Sequence, residues 1–234
     1  MTDQNAQKHR AVQAAIDLLP ESGIIGLGTG STAKLFILLL AELVRKGRKY
    51  ACVPTSHRSR ELAQQLEIPL LGDIGPWDID ICVDGADEVS DALDLIKGGG
   101  ACHLHEKIVN ASSKLNVIVV DESKLSRSLG ERWAVPVEVT PFGHLATASH
   151  LGQFGQVTPR RVPSEPRDGT QPTLLVTDSG NYIYDVKTGP IAEPARLDAA
   201  LKDIPGVVET GLFVARTQKV IVAGADFVRE INRA

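Results

Sequence analysis

Three features that mark specialised proteins are scarce or absent in this sequence. The chain has only three cysteines, Cys52, Cys82 and Cys102, and no two have CxxC spacing, which is typical of reduced thiols and not of a disulfide framework. Aromatic residues make up 4% of the chain, so few rings can stack on single-stranded nucleic acid. The most apolar stretch, 35–44, is interrupted by Glu42 and is far shorter than the ~20 residues that span a bilayer. These absences predict a soluble, cytoplasmic protein.

The chain also lacks an excess of charge of one sign. It carries 25 Lys and Arg against 29 Asp and Glu, a net charge of −4, whereas non-specific nucleic-acid binding depends on concentrated Lys and Arg. The 234 residues are 43% hydrophobic and 23% charged, which is ordinary for a globular chain that folds without a metal or a disulfide. The expected partner is a small molecule, with no nucleic acid and no membrane.

Strands and helices alternate through the first half of the sequence. Short apolar runs at 24–27, 50–53, 79–83 and 116–120 are separated by helical patterns. Such β-α-β alternation with short connections predicts a parallel, doubly wound sheet.

The pattern changes near residue 130. A strand at 135–139, a helix at 142–153 and a hairpin turn at 178–181 predict a second, smaller α+β domain. We also expect an exposed loop at 158–172, which is rich in Pro, Arg and Gly, and two final strands at 207–213 and 219–223.

A glycine-rich loop, GLGTGST at 26–32, joins the first strand to the following helix. Glycines let the backbone approach a ligand, and the free N–H groups of a helix N-terminus attract anions. Two nucleotide motifs do not match: Ser31 stands where a dinucleotide fingerprint has its third glycine, and no Gly-Lys-Ser/Thr follows as in a Walker loop. The sequence predicts a cradle for a phosphate smaller than a dinucleotide; the alternative is a tight turn with a hydroxyl cap.

An acidic loop, Asp84-Gly85-Ala86-Asp87-Glu88, directly follows a buried strand. Carboxylates packed this closely repel one another, which indicates a task such as proton transfer or metal binding. The alternative is a solvated acidic turn. The loop is expected at the same edge of the sheet as the first glycine loop.

A second glycine run, Lys97-Gly98-Gly99-Gly100, precedes the helix that carries Glu106. Its N–H groups can form an oxyanion-binding nest beside the Lys97 charge; the alternative is a flexible hinge. His103 and His105 would point in different directions from that helix, and no Cys or His cluster completes a tetrahedral set. We therefore expect no metal site.

Together these motifs resemble the type A family of ribose-5-phosphate isomerases. The resemblance continues in family order over nearly the whole chain, through DESK at 121–124, VPVEV at 135–139, TDSGN at 177–181, IPGVVE at 204–209 and GLF at 211–213. Each motif alone is weak, whereas the ordered set is highly specific.

The resemblance implies a fold and a reaction. The fold would be α/β, with a Rossmann-like, doubly wound, mostly parallel sheet formed by residues 1–130 and 206–234, and a smaller ferredoxin-like α+β domain at 131–205. The reaction would interconvert D-ribose 5-phosphate and D-ribulose 5-phosphate through an enediolate, in the non-oxidative pentose phosphate pathway, without a metal or another cofactor. The family also implies a homodimer or a homotetramer.

The resemblance further assigns roles to residues. Glu106 would be the base that moves a proton between C1 and C2, and Asp84 and Asp87 would assist ring opening and proton transfer to the hydroxyl groups. Lys97, with the glycine N–H groups, would stabilise the enediolate. The substrate would be bound by Thr29, Gly30, Ser31, Thr32, Gly85, Ala86, Gly98, Gly99, Gly100 and Lys124. A glutamate near two other carboxylates is also expected to have a raised pKa, which makes it a stronger base.

The chain departs from the family pattern at two points. His103 and His105 occupy a segment that is usually more apolar, with an arginine before the glutamate. The family often has a basic phosphate ligand near the N-terminus, and here Lys8, His9 and Arg10 are all candidates.

Two other kinds of function are possible on this scaffold. One is a related enzyme, such as an amino-sugar phosphate isomerase/deaminase or a coenzyme A transferase; the latter would form a covalent thioester on Glu106. The other is a non-catalytic sugar-phosphate sensor of a transcription regulator. Such a regulator needs a helix-turn-helix domain, for which the ~20 residues before the first strand are too few.

Overall fold

Helices and strands alternate through the first half of the chain in the computed structural model, which describes residues 3–162 and 173–233. The elements are α1 (Asp3–Ile16), β1 (Ser22–Leu27), α2 (Ser31–Arg45), β2 (Lys49–Pro54), α3 (His57–Gln65), β3 (Ile79–Asp84), β4 (Glu88–Val89), β5 (Leu95–Ile96), α4 (His103–Ala111), β6 (Ser113–Asp121) and a 3-10 turn (Glu122–Lys124). The four strands predicted in this half fall within β1, β2, β3 and β6.

Shorter and mostly antiparallel elements follow. They are β7 (Val135–Val139), α5 (His144–Leu151), β8 (Gln156–Pro159), β9 (Tyr182–Lys187), α6 (Pro194–Lys202), β10 (Val207–Thr210), β11 (Leu212–Phe213), β12 (Lys219–Ala223) and β13 (Val228–Asn232). No helix among the described residues is long and apolar enough to cross a membrane.

The central sheet has six strands in the order β13-β12-β6-β3-β1-β2. Neighbouring strands are parallel except for β12 and β13. Phe36 of α2 packs in one cluster with Ile81, whereas Val109 of α4 packs in another with Cys82. Because successive strand residues face opposite sides, helices cover both faces of the sheet.

The winding of the central sheet reverses beside β1, since β2 lies on one side of it and β3 on the other. Ligands of open α/β sheets bind at such switch points, beyond the carboxyl ends of the strands. The GLGTGST loop follows β1 and the acidic loop follows β3, so the topology brings both loops to this point. They approach so closely that a Cβ atom at Gly28 would lie 2.1 Å from Asp84 Oδ1.

The four-stranded antiparallel sheet has the order β10-β7-β9-β8. Its elements run β-α-β-β-α-β along the chain, which is the ferredoxin-like arrangement. Val137, Tyr184 and Leu201 lie in its buried core. The predicted fold class is therefore confirmed: a mostly parallel, doubly wound α/β sheet with a separate ferredoxin-like unit. We propose that the two units are domains with the bounds that the sequence suggests, except that β10 (Val207–Thr210), which pairs with β7 in the smaller sheet, extends the smaller domain beyond residue 205.

Two predictions about the second half of the chain were wrong in detail. The strand at 207–213 is broken at Gly211, because β10 pairs with β7 whereas β11 pairs with β5 in a separate three-stranded sheet. A Cβ atom at Gly211 would lie 2.2 Å from the carbonyl oxygen of Lys97, which places this crossing directly behind the second glycine run. The predicted loop at 158–172 begins inside β8, and its residues 163–172 lie outside the described residues.

Candidate active site

A lysine and two carboxylates form a buried cluster at the switch point. Lys97 Nζ lies 2.9 Å from Asp84 Oδ2 and 3.3 Å from Glu106 Oε1, and it donates a hydrogen bond of 2.6 Å to the carbonyl of Gly85. Asp84 ends β3, Lys97 follows β5, and Glu106 lies in the first turn of α4. Each of the three side chains is at most 5% exposed, so their charges interact with little screening.

The environment of Glu106 favours its protonated form. Burial raises the pKa of Glu106 to about 8; the charge of Lys97 opposes this shift, and the charges of Asp84 and Asp87 add to it. We expected neighbouring carboxylates to raise this pKa, but burial is the larger cause. Glu106 Oε2 is buried and has no hydrogen-bond partner among the described residues, so this oxygen is available to accept a proton.

Lys97 remains charged in the same cluster. Burial alone would lower its pKa, but the charges of Asp84 and Glu106 outweigh that effect and raise the pKa of Lys97 above its ordinary value. Its three ammonium hydrogens face three oxygens, those of Asp84, Glu106 and Gly85. Because its donors already have partners, what Lys97 offers to a ligand in the cavity is its positive charge.

The three acidic residues of the acidic loop have different surroundings. Asp84 Oδ1 accepts hydrogen bonds from the backbone N–H groups of Thr29, at 3.0 Å, and of Gly85, at 2.7 Å. Asp87 is half-buried and accepts a 2.7 Å hydrogen bond from the N–H of Gly99. Glu88 points away from the site and is fully buried, where it accepts hydrogen bonds from the backbone at 130 and 132; its role is structural.

A cavity of about 130 Å³ opens beside this cluster. All the residues that the sequence suggested for substrate binding line it, together with Asp87, Lys97 and Glu106. Asp84 does not line the cavity itself. Its carboxylate lies behind the lining residues, where it forms an ion pair with Lys97 and accepts a hydrogen bond from the N–H of Thr29. The structure thus brings the three loops predicted from the sequence around one small polar cavity.

The far end of the cavity is suited to an anion. Helix α2 begins at Ser31 after Gly30, whose φ of +107° favours glycine, and no side chain caps the helix N-terminus. Its first N–H groups therefore remain available to a ligand. Lys124 lines the same cavity, with its Nζ atom 5.0 Å from the centre of the Trp133 ring.

The structure distinguishes the three basic candidates near the N-terminus. Lys8 lines the cavity, with its Nζ atom 3.3 Å from Ser31 Oγ. Arg10 instead donates to the backbone carbonyls of Gly224 and Ala225, and His9 is exposed. Lys8 is therefore the candidate anion ligand, which the sequence alone did not single out.

Thr29 contributes to the site mainly through its backbone. Its hydroxyl group lies 2.8 Å from those of Thr55 and Ser56, in a hydroxyl cluster that is completed by Ser59. Ser59 in turn donates to the carbonyl of Gly28. This cluster fixes the course of the loop, and with it the Thr29 N–H that bonds to Asp84.

The two histidines of α4 point apart, as the helix geometry predicts. His103 is fully buried; burial and then the charge of Lys107 lower its pKa to about 3. His105 Nε2 lies 2.9 Å from Ser179 Oγ in the hairpin turn. Among residues 3–162 and 173–233, no three His, Cys, Asp or Glu side chains are grouped so that they could hold a metal ion.

Fold and site together define a class: an α/β enzyme with an acid–base cluster beside an anion cradle at a topological switch point. The sequence model of the ribose 5-phosphate isomerase A (phosphoriboisomerase A) family matches residues 51–227. The chain belongs to this family.

Relatives of known name support the assignment over the full length. The chain is 41% identical over 237 residues to ribose-5-phosphate isomerase A of Desulfatibacillum aliphaticivorans, covering 100% of both chains. The solved structure of ribose 5-phosphate isomerase A from Methanocaldococcus jannaschii has a TM-score of 0.89 at 38% identity, covering 97% of this chain and 99% of that one. A D-ribose-5-phosphate isomerase in complex with phospho-erythronic acid has a TM-score of 0.91 at 36% identity, with coverage of 98% and 99%.

Proposed function

We propose that this chain interconverts D-ribose 5-phosphate and D-ribulose 5-phosphate in the non-oxidative pentose phosphate pathway. The observation that carries the proposal is the buried Glu106 carboxylate, which lines a cavity whose other end is an anion cradle. An aldose–ketose isomerisation needs one base, groups that move protons between two oxygens, a stabiliser of the enediolate and an anchor for phosphate. Membership of the family supports the same reaction.

The cavity gives the substrate one orientation. The phosphate would lie at the N-terminus of α2, bound by Lys8, Ser31, Thr32 and Lys124, because these groups supply positive charge and N–H or O–H donors. Carbons C1 and C2 would then lie near Glu106 and the glycine run at the opposite end.

Proton transfer would run through Glu106. After Asp87 has assisted ring opening, ionised Glu106 takes the proton from C2 of the aldose, and an enediolate forms. Asp84, which does not line the cavity, would contribute through its ion pair with Lys97. The same carboxyl group returns a proton to C1, while Asp87 moves protons between the two oxygens. The charge of Lys97 and the N–H groups of the glycine run stabilise the enediolate, and this stabilisation is greatest when the negative charge has developed.

One assay tests the proposed function. Purified protein is mixed with ribose 5-phosphate and excess chelator, and ribulose 5-phosphate is measured. The proposal predicts full activity after extended chelation, and little turnover of free ribose because the phosphate anchor is then unused. Absence of ribulose 5-phosphate would contradict the function. If chelation abolished the activity and one divalent ion restored it, the metal independence would be contradicted but the proposed reaction would stand.

We further propose that the enzyme is a cytoplasmic homodimer or homotetramer. Its cysteines, Cys52, Cys82 and Cys102, are buried and form no disulfide, which suits a reducing compartment. Light scattering on the eluting protein measures the mass, and a 25.1 kDa particle would contradict the oligomer.

A further inference from the structure

One arginine reaches from the four-stranded sheet to the second glycine run. Arg160 directly follows β8, and its backbone is held in the sheet by hydrogen bonds of 2.8 Å to Ile183 and 2.9 Å from Leu175. Its Nη1 atom donates to the carbonyl of Gly98 and lies 3.5 Å from the carbonyl of Gly99. The ferredoxin-like unit thereby contacts the back of the loop that lines the cavity.

Asp185 of β9 holds the guanidinium group of Arg160 in place. Arg160 Nε donates to Asp185 Oδ2 at 3.0 Å, and Nη2 donates to Oδ1. The side chains are 17% and 28% exposed. A bidentate arginine–carboxylate pair has a fixed geometry, so Nη1 is aimed at the glycine run.

The contact controls which way the peptide N–H groups point. Across a planar trans peptide, the C=O of one residue and the N–H of the next point in opposite directions. When Arg160 holds the carbonyl of Gly98 on the outer side, the N–H of Gly99 faces inward, where it donates to Asp87 Oδ2 at 2.7 Å. In the same way, the contact of Arg160 with the carbonyl of Gly99 keeps that carbonyl on the outer side and turns the N–H of Gly100 inward.

Glycines make this control necessary. Consecutive glycines have the largest conformational freedom of any residues, and Gly98 has a φ of +108°. Among the described groups, the carbonyl of Gly98 accepts from Arg160 and from the N–H of Ala101, at 2.9 Å. The second of these contacts lies within the loop itself, whereas Arg160 ties the loop to a different sheet.

We infer that Arg160, oriented by Asp185, is a positioning residue that fixes the Gly98 and Gly99 carbonyls, so that the N–H of Gly99 holds Asp87 beside the cavity and the N–H of Gly100 is preorganised to bind the enediolate. The inference rests on the proposed function. It assigns to the smaller unit a part in the reaction that acts through the glycine run, since no side chain among the unit's described residues lines the cavity.

Kinetics of Arg160→Ala test the inference. Misplacement of a group by ~1 Å can cost about 100-fold in rate, and loss of one oxyanion donor costs about 10²–10³. Since the donors remain but lose their orientation, we expect kcat to fall about tenfold. KM should change less than twofold, because the phosphate is bound at the other end of the cavity. Arg160→Lys keeps the positive charge but lacks the planar guanidinium group that forms the bidentate pair with Asp185. It should recover part of the loss in kcat.

The inhibition constants of two ligands distinguish a positioning role of Arg160 from general damage to the fold. Phospho-erythronic acid carries a phosphate and a carboxylate, and the delocalised anion of that carboxylate resembles an enediolate. Its inhibition constant should rise about tenfold in Arg160→Ala, in parallel with the fall in kcat, whereas that of inorganic phosphate should stay the same. Asp185→Asn should shift both quantities in the same directions by a smaller factor. Arg196→Ala is the matched control, because Arg196 is an exposed arginine of α6 that pairs with Glu193.

The outcomes distinguish this inference from the proposed function. A wild-type protein that does not isomerise ribose 5-phosphate would remove the proposed function itself. An active wild type with Arg160→Ala unchanged in kcat and in analogue affinity would overturn only the positioning role. Equal losses of analogue and phosphate affinity, with a lower melting temperature, would indicate a structural role and would also overturn it. If Arg160→Ala does not fold, Arg160→Lys and Asp185→Asn decide by the same criteria.

Discussion

At the scale of single residues, Glu106 has the properties that a general base needs near neutral pH. Its pKa of about 8 makes the ionised carboxylate a far stronger base than an exposed glutamate, whose pKa is about 4.3. The best catalytic pKa lies near the working pH. Burial supplies this shift, and the adjacent Lys97 charge prevents it from growing so large that the base is never ionised.

The first prediction concerns pH. Because Glu106 must be ionised to accept a proton, kcat/KM should fall as the pH is lowered through about 8, the pKa of Glu106 in the free enzyme. Initial rates measured between pH 6 and 10 give this pH dependence of kcat/KM. Glu42→Gln, which removes an exposed carboxylate of α2, should leave the pH dependence unchanged. A kcat/KM that stays constant down to pH 6 would contradict the assignment.

The second prediction concerns the phosphate anchor. Lys8→Ala and Lys124→Ala should each raise KM about tenfold, since each removes a charge-assisted contact worth ~1.5–3 kcal/mol when fully formed, and these two contacts are partly exposed. Because phosphate is bound equally in ground and transition states, kcat should change little. Lys46→Ala, which removes an exposed lysine at the end of α2, is the control for net charge. Equal effects of all three substitutions would show that no specific anchor exists.

At the scale of elements, the site depends on how closely β1 and β3 approach. A Cβ atom at Gly28 would overlap Asp84, which in turn binds Lys97. Replacing Gly28 therefore changes the separation of the two strand ends on which the whole cluster depends.

The third prediction follows from this packing. Gly28→Ala should destabilise the fold by about 1–3 kcal/mol, the usual cost of overpacking, and lower kcat through displacement of Asp84. Gly72→Ala is the matched control, because no atom lies within 4 Å of a Cβ built there. Thermal unfolding and steady-state rates measure both effects. A Gly28→Ala enzyme with unchanged stability and kcat would show that the loops have room to move.

The elements also show how far the sequence could predict the structure. Runs of apolar residues and glycine loops revealed the central strands and the loops at their ends, because these are local patterns. The break at Gly211 was not visible, since it depends on the distant Lys97 carbonyl, which lies against it. Strand β13 was missed because its residues, VREIN at 228–232, are largely exposed at the sheet edge and lack an apolar run.

The same limit applies to single residues of the site. The motif residues were predicted from spacing, but the choice of Lys8 over Arg10 required the direction in which α1 crosses the sheet. Likewise, the inward orientation of Asp84 and the outward orientation of Glu88 follow from the turn after β3. Arg160 carries no sequence signal, because its partners are backbone carbonyls some sixty positions away.

At the scale of the whole molecule, α4 joins the central sheet to the smaller one. His103 Nε2 lies 3.3 Å from the carbonyl of Glu209 and 3.8 Å from Glu138 Oε2. Lys107 donates to Glu209 and to two carbonyls that follow it. The helix that carries Glu106 is thus fixed by buried polar contacts to strands of the ferredoxin-like unit.

The fourth prediction concerns this junction and acid stability. His103 has a pKa of about 3 in the folded protein and about 6.5 when unfolded. Between these values the unfolded chain binds the proton, so His103 makes the free energy of unfolding fall with decreasing pH, by at most about 1.4 kcal/mol per unit. In His103→Gln the fall between pH 6.5 and 4 should be shallower than in wild type. The exposed His150→Gln control should keep the wild-type slope; equal slopes in all three proteins would contradict a buried neutral histidine.

The most direct test of the central claim is the fate of the transferred hydrogen in heavy water. A proton held by one carboxyl group can exchange with solvent before it returns to carbon, so the wild-type enzyme in D₂O should place deuterium at C1 or C2 of the sugar phosphate, as measured by NMR. Glu106→Gln keeps the size of the side chain but removes the proton acceptor. It should lower kcat by at least about 10²–10⁴-fold and abolish the exchange, while inorganic phosphate still binds. Near-normal turnover or unchanged deuterium incorporation in Glu106→Gln would contradict the account and move the base to another residue.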